Sequence, residues 1–300
     1  MPSDKLKNQL HLHFIVFIWG FTAILVALIP VDALPLVWYR VLIAVIVLFL
    51  YFKIKKVSLK VNRGTLIKFG FGGIIIAMHW ATFFYAIKIA TISTTLITMS
   101  SSAFFVILLK PLFGDKKFVL HELVLAIFTV IGFVIIFNVS KMYVTGIIFA
   151  LISAVLIAFF SLYNSKLVTK YKASKIAFYE LFFACIWVSL ILLYQGGFTN
   201  TFFNLIKIDW VYIVILATIC TAYPFVVATN LLNKMSPFTI ILTNNLEPIY
   251  GIVLAVLIFG DKEKMSWQFY VGAIIIFSSV LLNGMIKNKV FKRRFKSKSD

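Results

Sequence analysis

A chain of 300 residues that is 62% hydrophobic and only 13% charged has too few polar side chains to cover a soluble surface, which excludes a soluble catalytic or binding module. The net charge of +19 would suit a nucleic-acid partner, but the Lys and Arg residues lie between apolar runs rather than in one basic face, so no nucleic acid is expected.

Windows long enough to cross roughly 30 Å of hydrocarbon fall at about 12–29, 34–52, 68–87, 92–112, 119–137, 143–163, 175–194, 209–230, 236–258 and 266–286. These runs are almost continuously apolar, whereas barrel strands alternate apolar and polar residues, so the spans are helices. The connections are short and leave no room for a soluble domain. Lys5 and Lys7 precede the first run, and Val31-Asp32-Ala33 loosely resembles a cleavage site. The first span is nevertheless expected to stay, because the internal repeat needs it.

Ten spans with an inner N-terminus put 22 of the 29 Lys and Arg residues in inner segments and 5 in outer ones, with Arg40 and Lys110 inside spans. That asymmetry predicts cytoplasmic N- and C-termini. The basic tail from Lys287 to Lys298 also suits anionic lipid head groups, so membrane lipids are expected partners. Trp210, Tyr212, Trp267 and Tyr270 fall at outer span ends, as an interfacial aromatic belt would.

Phe113-Gly114-Asp115-Lys116 recurs as Phe259-Gly260-Asp261-Lys262, at an offset of 146 residues. The surrounding spans keep the same spacing, so the chain divides into a first repeat at 1–140, a second at 141–287 and a basic cytoplasmic tail at 288–300. Each repeat holds an odd number of spans, five, so the two insert with opposite orientation, a recurring plan of secondary transporters. The predicted fold is therefore an all-α integral membrane protein of ten transmembrane helices, built as two inverted five-helix repeats.

Charged and polar side chains at membrane depth mark the candidate site. Glu247 sits near the middle of span nine, and Pro248 frees a backbone carbonyl beside it. Asn244 and Asn245 make the same stretch polar, and its counterpart in the first repeat is Thr98–Ser102, where Ser100, Ser101 and Ser102 offer hydroxyls. Polar segments in matched positions of both repeats point to a binding site at the repeat interface; helix-packing glue is the other reading of the serines. His79 and Trp80 lie in the middle of span three, and their repeat counterpart is Tyr223-Pro224-Phe225 of span eight. A His can exchange protons at physiological pH and a Trp face can hold a cation, though a lone intramembrane His also serves as a plain hydrogen-bond donor. Trp19 in span one, Asn164 in span six and Asn230 in span eight complete the candidates. Glu247 and His79 are the two candidates for proton coupling. Arg40 and Glu180 occupy equivalent places near span ends, where snorkelling or local structural bonds are expected rather than solute contact.

Cys185 and Cys220 fall inside spans and read as small apolar fillers. No Walker-type segment is present, and His121-Glu122 lacks the second His of a helical zinc site. Neither an enzyme, a cofactor nor a metal is expected.

Trp19-Gly20, Arg40, the Ser-rich fourth span ending in Phe113-Gly114-Asp115, Glu247-Pro248 and Phe259-Gly260-Asp261 stand in the order seen in the drug/metabolite transporter superfamily, and over its whole length the chain resembles its EamA type. The family commonly has Glu where Asp115 and Asp261 stand, and Pro where Ser102 stands; the second departure predicts an unbroken fourth helix. The resemblance implies a central pathway lined by spans one, three, four, six, eight and nine. It further implies alternating access without ATP and a small-molecule substrate such as an amino acid, exported across a bacterial cytoplasmic (inner) membrane. A nucleotide-sugar or phosphometabolite exchanger is the alternative within transport, and a non-transporting scaffold the alternative outside it. A homodimer is left open.

Overall fold

A computed structural model describes residues 4–114, 119–139, 143–263 and 265–296, among which there is no strand. Asp115, Lys116 and Lys117, then Lys141, Lys264 and Lys298, lie outside the described residues, as do the side chains of Lys262 and of the basic tail from Lys287.

The first three spans are single helices, α1 (Asp4–Leu28), α2 (Ala33–Ile54) and α3 (Arg63–Ile89). Span four is split into α4 (Ile92–Met99) and α5 (Ser102–Leu109), closed by a 3₁₀ turn at Lys110–Phe113, and α6 (Leu120–Val139) ends the first repeat. The second repeat runs through α7 (Val144–Leu167) and α8 (Ala173–Tyr194) to span eight, where a π turn at Thr218–Ala222 joins α9 (Lys207–Ala217) to α10 (Tyr223–Leu231). Span nine is again split, into α11 (Pro237–Asn244) and α12 (Glu247–Phe259), before α13 (Trp267–Lys296). Among the described residues, eight spans are long and apolar enough to cross a bilayer; α6 and α13 carry the shorter apolar stretches Leu120–Gly132 and Trp267–Ser279, and pack on each other.

Short polar residues start several of these helices. Asn62 Oδ1 accepts from Thr65 N at 2.8 Å, Thr91 Oγ1 from Thr94 N at 3.0 Å and Ser236 Oγ from Thr239 N at 3.2 Å, each satisfying an N-terminal amide that has no partner in its own helix. The repeated Phe-Gly ends helices for a backbone reason. Gly114 and Gly260 follow the final Phe at φ values of 80° and 59°, where a Cβ would be strained, so the chain turns out of the membrane at the same place in both repeats.

The main helix contacts recur when each span is exchanged for its equivalent five spans away. The α2–α8 and α6–α13 pairs are their own equivalents; α3 on α7 is matched by α1 on α10, and α3 on α8 by α2 on α9. Within the two split spans α4 lies against α12 and α5 against α11, so spans four and nine run antiparallel, as inversion requires.

Close approach sets the tightest of these seams. A Cβ on Gly73 of α3 would come within 2.7 Å of the Glu180 carbonyl oxygen and of Phe183 Cβ on α8. In a bilayer, where apolar burial gives little drive between helices, such backbone proximity is what holds two spans together. Gly73→Ala is therefore expected to cost roughly 1–3 kcal/mol, seen as a lower detergent-solution Tm. Gly64→Ala, whose Cβ would meet nothing nearer than 3.8 Å, is the control and should leave Tm unchanged.

Candidate functional site

Three interrupted helices meet at the centre of the bundle. Pro248 has no N–H, so the Asn244 carbonyl loses its helical donor; Asn245 N and Leu246 N turn back three residues to Leu242 O (3.1 Å) and Thr243 O (3.0 Å). The fourth span, for which Ser102 in place of Pro predicts continuity, is interrupted all the same. Ser100 N and Ser101 N reach back to Ile97 O and Thr98 O, both at 3.1 Å. The Thr98 hydroxyl takes Thr94 O at 2.7 Å and the Ser101 hydroxyl takes Thr98 O at 2.8 Å. Side-chain hydroxyls thus compete for the carbonyls that a regular helix needs, and the serines do without proline what Pro248 does in the other repeat.

In span eight, Pro224 frees the carbonyl four residues before it, that of Cys220. The π turn brings Thr221 alongside, its hydroxyl donating to Leu216 O at 2.6 Å. Arg40 of α2 enters this gap: its Nε donates to Thr221 Oγ1, and its Nη2 lies 3.5 Å from Cys220 O. The guanidinium sits over Trp80, 4.4 Å from the ring centroid. With 3% of its surface exposed, Arg40 does not snorkel. Its neighbours in span eight offer acceptors at membrane depth, so it has no need to reach the interface.

These elements enclose a cavity of about 140 Å³. Trp19, His79, Trp80, Asn244, Asn245 and Glu247 line it, together with Arg40, Asn164 and Thr221. Spans one, three, four, six, eight and nine contribute walls, span two adds Arg40, and the lining extends to Leu232 and Ile240, where α10 closes and α11 begins. Three other candidates lie elsewhere. The Ser101 hydroxyl is spent on its own helix, while its neighbours Ser100 and Ser102 line the cavity. Tyr223 is 43% exposed and its hydroxyl meets His11 Nε2 at 2.7 Å. Asn230 lines a separate polar pocket with Asn8, His11 and Lys170.

His79 is held from one side. The Ser153 hydroxyl donates to His79 O at 2.9 Å, so the 2.7 Å contact between Ser153 Oγ and Nδ1 is donated by the imidazole, which places a proton on Nδ1. Phe83 stacks on the ring at 6.0 Å. His79 therefore ties α3 to α7 while its ring lines the cavity. Glu247 is different: no hydrogen bond or ion pair joins its carboxylate to any described residue.

Most buried polar atoms in a folded protein find partners. Here Arg40 Nη1, Asn245 Nδ2, Asn244 Oδ1 and Asn164 Oδ1 are buried without any, and all four residues line the cavity. Two are donors and two acceptors. A cavity that carries a cation, a carboxylate, indole faces and spare hydrogen-bonding capacity of both kinds can hold a small solute that has both an acidic and a basic end.

Arg40 received no solute-binding role in the sequence reading, whereas Asn164 was among its candidates. Arg40 was visible as an intramembrane charge, but its distance from the span end favoured the interface; the signal that could have placed it inward is Pro224, which creates an acceptor in span eight. Lys110, the other cation within a span, is neutralised by an ion pair with Glu122 and takes no part in the cavity.

The sequence profile described as the EamA-like transporter family matches this chain twice, over residues 10–138 and 144–285. No curated protein sequence matches the chain significantly. A solved crystal structure, 14% identical in sequence, superposes with a TM-score of 0.70 over 93% of this chain and 97% of its own, and so shares the fold.

Proposed function

The chain belongs to the EamA-like transporter family, whose profile covers both repeats, and from that premise we propose that it carries small amphoteric solutes, amino acids foremost, by alternating access and in the direction of export. The observation that supports this reading is the convergence of Arg40, Glu247 and unpartnered polar atoms on one cavity between the two broken helices. A solute carboxylate is held by the free Nη1 of Arg40, and a solute amine by Glu247. The indole faces of Trp19 and Trp80 take the side chain, and the two asparagines complete the hydrogen bonding.

Without a solute amine, an ionised Glu247 faces the Arg40 guanidinium across the cavity with no hydrogen bond from a described residue, so a proton can take the amine's place. Proton and solute therefore alternate on one carboxylate, which makes the carrier an antiporter and gives export its driving force. His79 is the other candidate for proton coupling at the same cavity. The surplus of Lys and Arg in alternate connections supports both termini inside, and the family resemblance supports a bacterial cytoplasmic membrane.

A phosphometabolite exchanger would need several free cations at this depth. Arg40 is the one cation at the cavity among the described residues, since Lys110 is paired with Glu122.

The test is counterflow of pooled labelled amino acids, nucleobases and sugars in proteoliposomes. Amino acids should exchange, and nucleobases and sugars should not. Arg40→Lys is expected to weaken the apparent affinity for amino acids roughly 10- to 100-fold, the worth of about 1.5–3 kcal/mol for hydrogen bonds to a charged group. Flux of sugars alone, or an Arg40→Lys variant with unchanged affinity, would overturn the assignment of the solute; no flux of any solute from intact protein would favour a scaffold.

A further inference from the structure

Glu180, on α8, is 0% exposed and does not line the cavity. Its Oε2 accepts from Asn164 Nδ2 of α7 at 3.0 Å. Its Oε1 has no partner, and neither does Asn164 Oδ1. The carboxyl group is also pressed against Gly72 of α3, so closely that a Cβ there would overlap Oε1.

Four elements pack around α8 at this point, and none supplies a neutralising charge. On α3, Lys68 is exposed and His79 bonds Ser153; on α2, Lys53 is exposed and Arg40 bonds Thr221; on α7, Lys166 is exposed, and the Tyr163 hydroxyl donates to Lys68 O at 2.9 Å. Tyr223, the titratable group of α10, bonds His11. Tyr179 on α8 itself bonds Leu59 O. An ionised carboxylate here would be a buried charge with a single hydrogen bond and two acceptor atoms facing no donor, an arrangement that costs several kcal/mol.

One proton removes the whole mismatch. A carboxylic acid and a primary amide form a closed pair, in which the amide N–H donates to the acid carbonyl and the acid O–H donates to the amide carbonyl. The first of these bonds is present, and the two atoms that the second would join are the two left without partners. We propose that Glu180 and Asn164 form a second proton-binding site of the carrier, occupied in the state seen here. Asn164 connects it to solute, since the same side chain lines the cavity. Loss of the proton leaves a bare carboxylate in the α3–α8 seam, which must then part to admit water. Solute binding that pulls Asn164 away has the same effect, so proton release and opening of this end of the cavity are linked. The link to transport rests on the function proposed above; the protonation state does not.

Two measurements keep these apart. In the reconstituted protein at neutral pH, the infrared difference between wild type and Glu180→Gln should contain the C=O band of a protonated carboxylic acid, shifted in deuterium oxide; absence of that band overturns the proposal. Gln can make the same closed pair with Asn164, so this variant should fold with unchanged Tm. With a pH dye in the liposome lumen and pooled amino acids as solute, Glu180→Gln should keep equal-pH counterflow and the proton exchange carried by Glu247, but move fewer protons per solute than wild type. An unchanged proton-to-solute ratio in Glu180→Gln rejects the coupling role. If wild type exchanges no solute at all, the transport reading fails while the infrared band still decides the site.

Discussion

Glu247→Gln is expected to abolish exchange of amine-bearing solutes while the protein remains folded. Gln keeps the size and the hydrogen-bonding atoms of Glu but removes the charge, and among the described residues nothing else anionic lines the cavity. Truncating one side of a buried charge contact costs about 2–5 kcal/mol, so the apparent affinity should fall on the order of 100-fold or more. Because no hydrogen bond or ion pair ties Glu247 to a described residue, its neutral replacement should leave the detergent Tm unchanged or slightly raised. Counterflow and thermal unfolding on the same preparation check both halves of this expectation. A variant that transports normally removes Glu247 from the pathway; one that loses flux only because it unfolds assigns the residue a structural role.

The second large effect is on stability. Glu122→Ala is expected to destabilise the first repeat by roughly 3–5 kcal/mol, the cost of stranding a buried charge. Lys110, 8% exposed, pairs with Glu122 and lies 5.6 Å from the ring of Phe238 on α11, so the ammonium is wedged between spans four, five and nine. The double change Lys110→Met with Glu122→Leu removes both charges and fills the same space, and should recover most of the loss. Chemical unfolding of the three proteins in one detergent measures the difference. Equal loss in the single and the double variant would show that packing, not the orphaned charge, sets the stability of this junction.

Two matched features were legible in the chain because they are local or compositional. The Phe-Gly pairs at 113–114 and 259–260 predict a turn at equivalent places, since a positive φ needs glycine, and both glycines adopt it. Pro248 predicts the interruption of span nine, since a missing N–H is a property of the residue itself. The interruption of span four was not legible. It depends on which way the hydroxyls of Thr98 and Ser101 turn, and a run of Ser and Thr serves equally as helix-packing glue or as a helix break.

Arg40 and Glu180 show the same limit more sharply. Sequence placed both in equivalent positions near span ends, and either could have reached the interface. Tertiary packing buries both, one beside the carbonyl that Pro224 frees and the other between Asn164 and Gly72.

By itself, then, the sequence determined the class, the ten spans and the doubled, inverted plan, because hydrocarbon thickness and backbone hydrogen bonding leave a long apolar run no other structure. Only the tertiary structure decided which helix faces meet. In water a helix shows its buried face by an apolar stripe, but in a bilayer the lipid-facing and the packed sides are equally apolar, so that stripe is absent and the partners of each polar side chain must be seen rather than read.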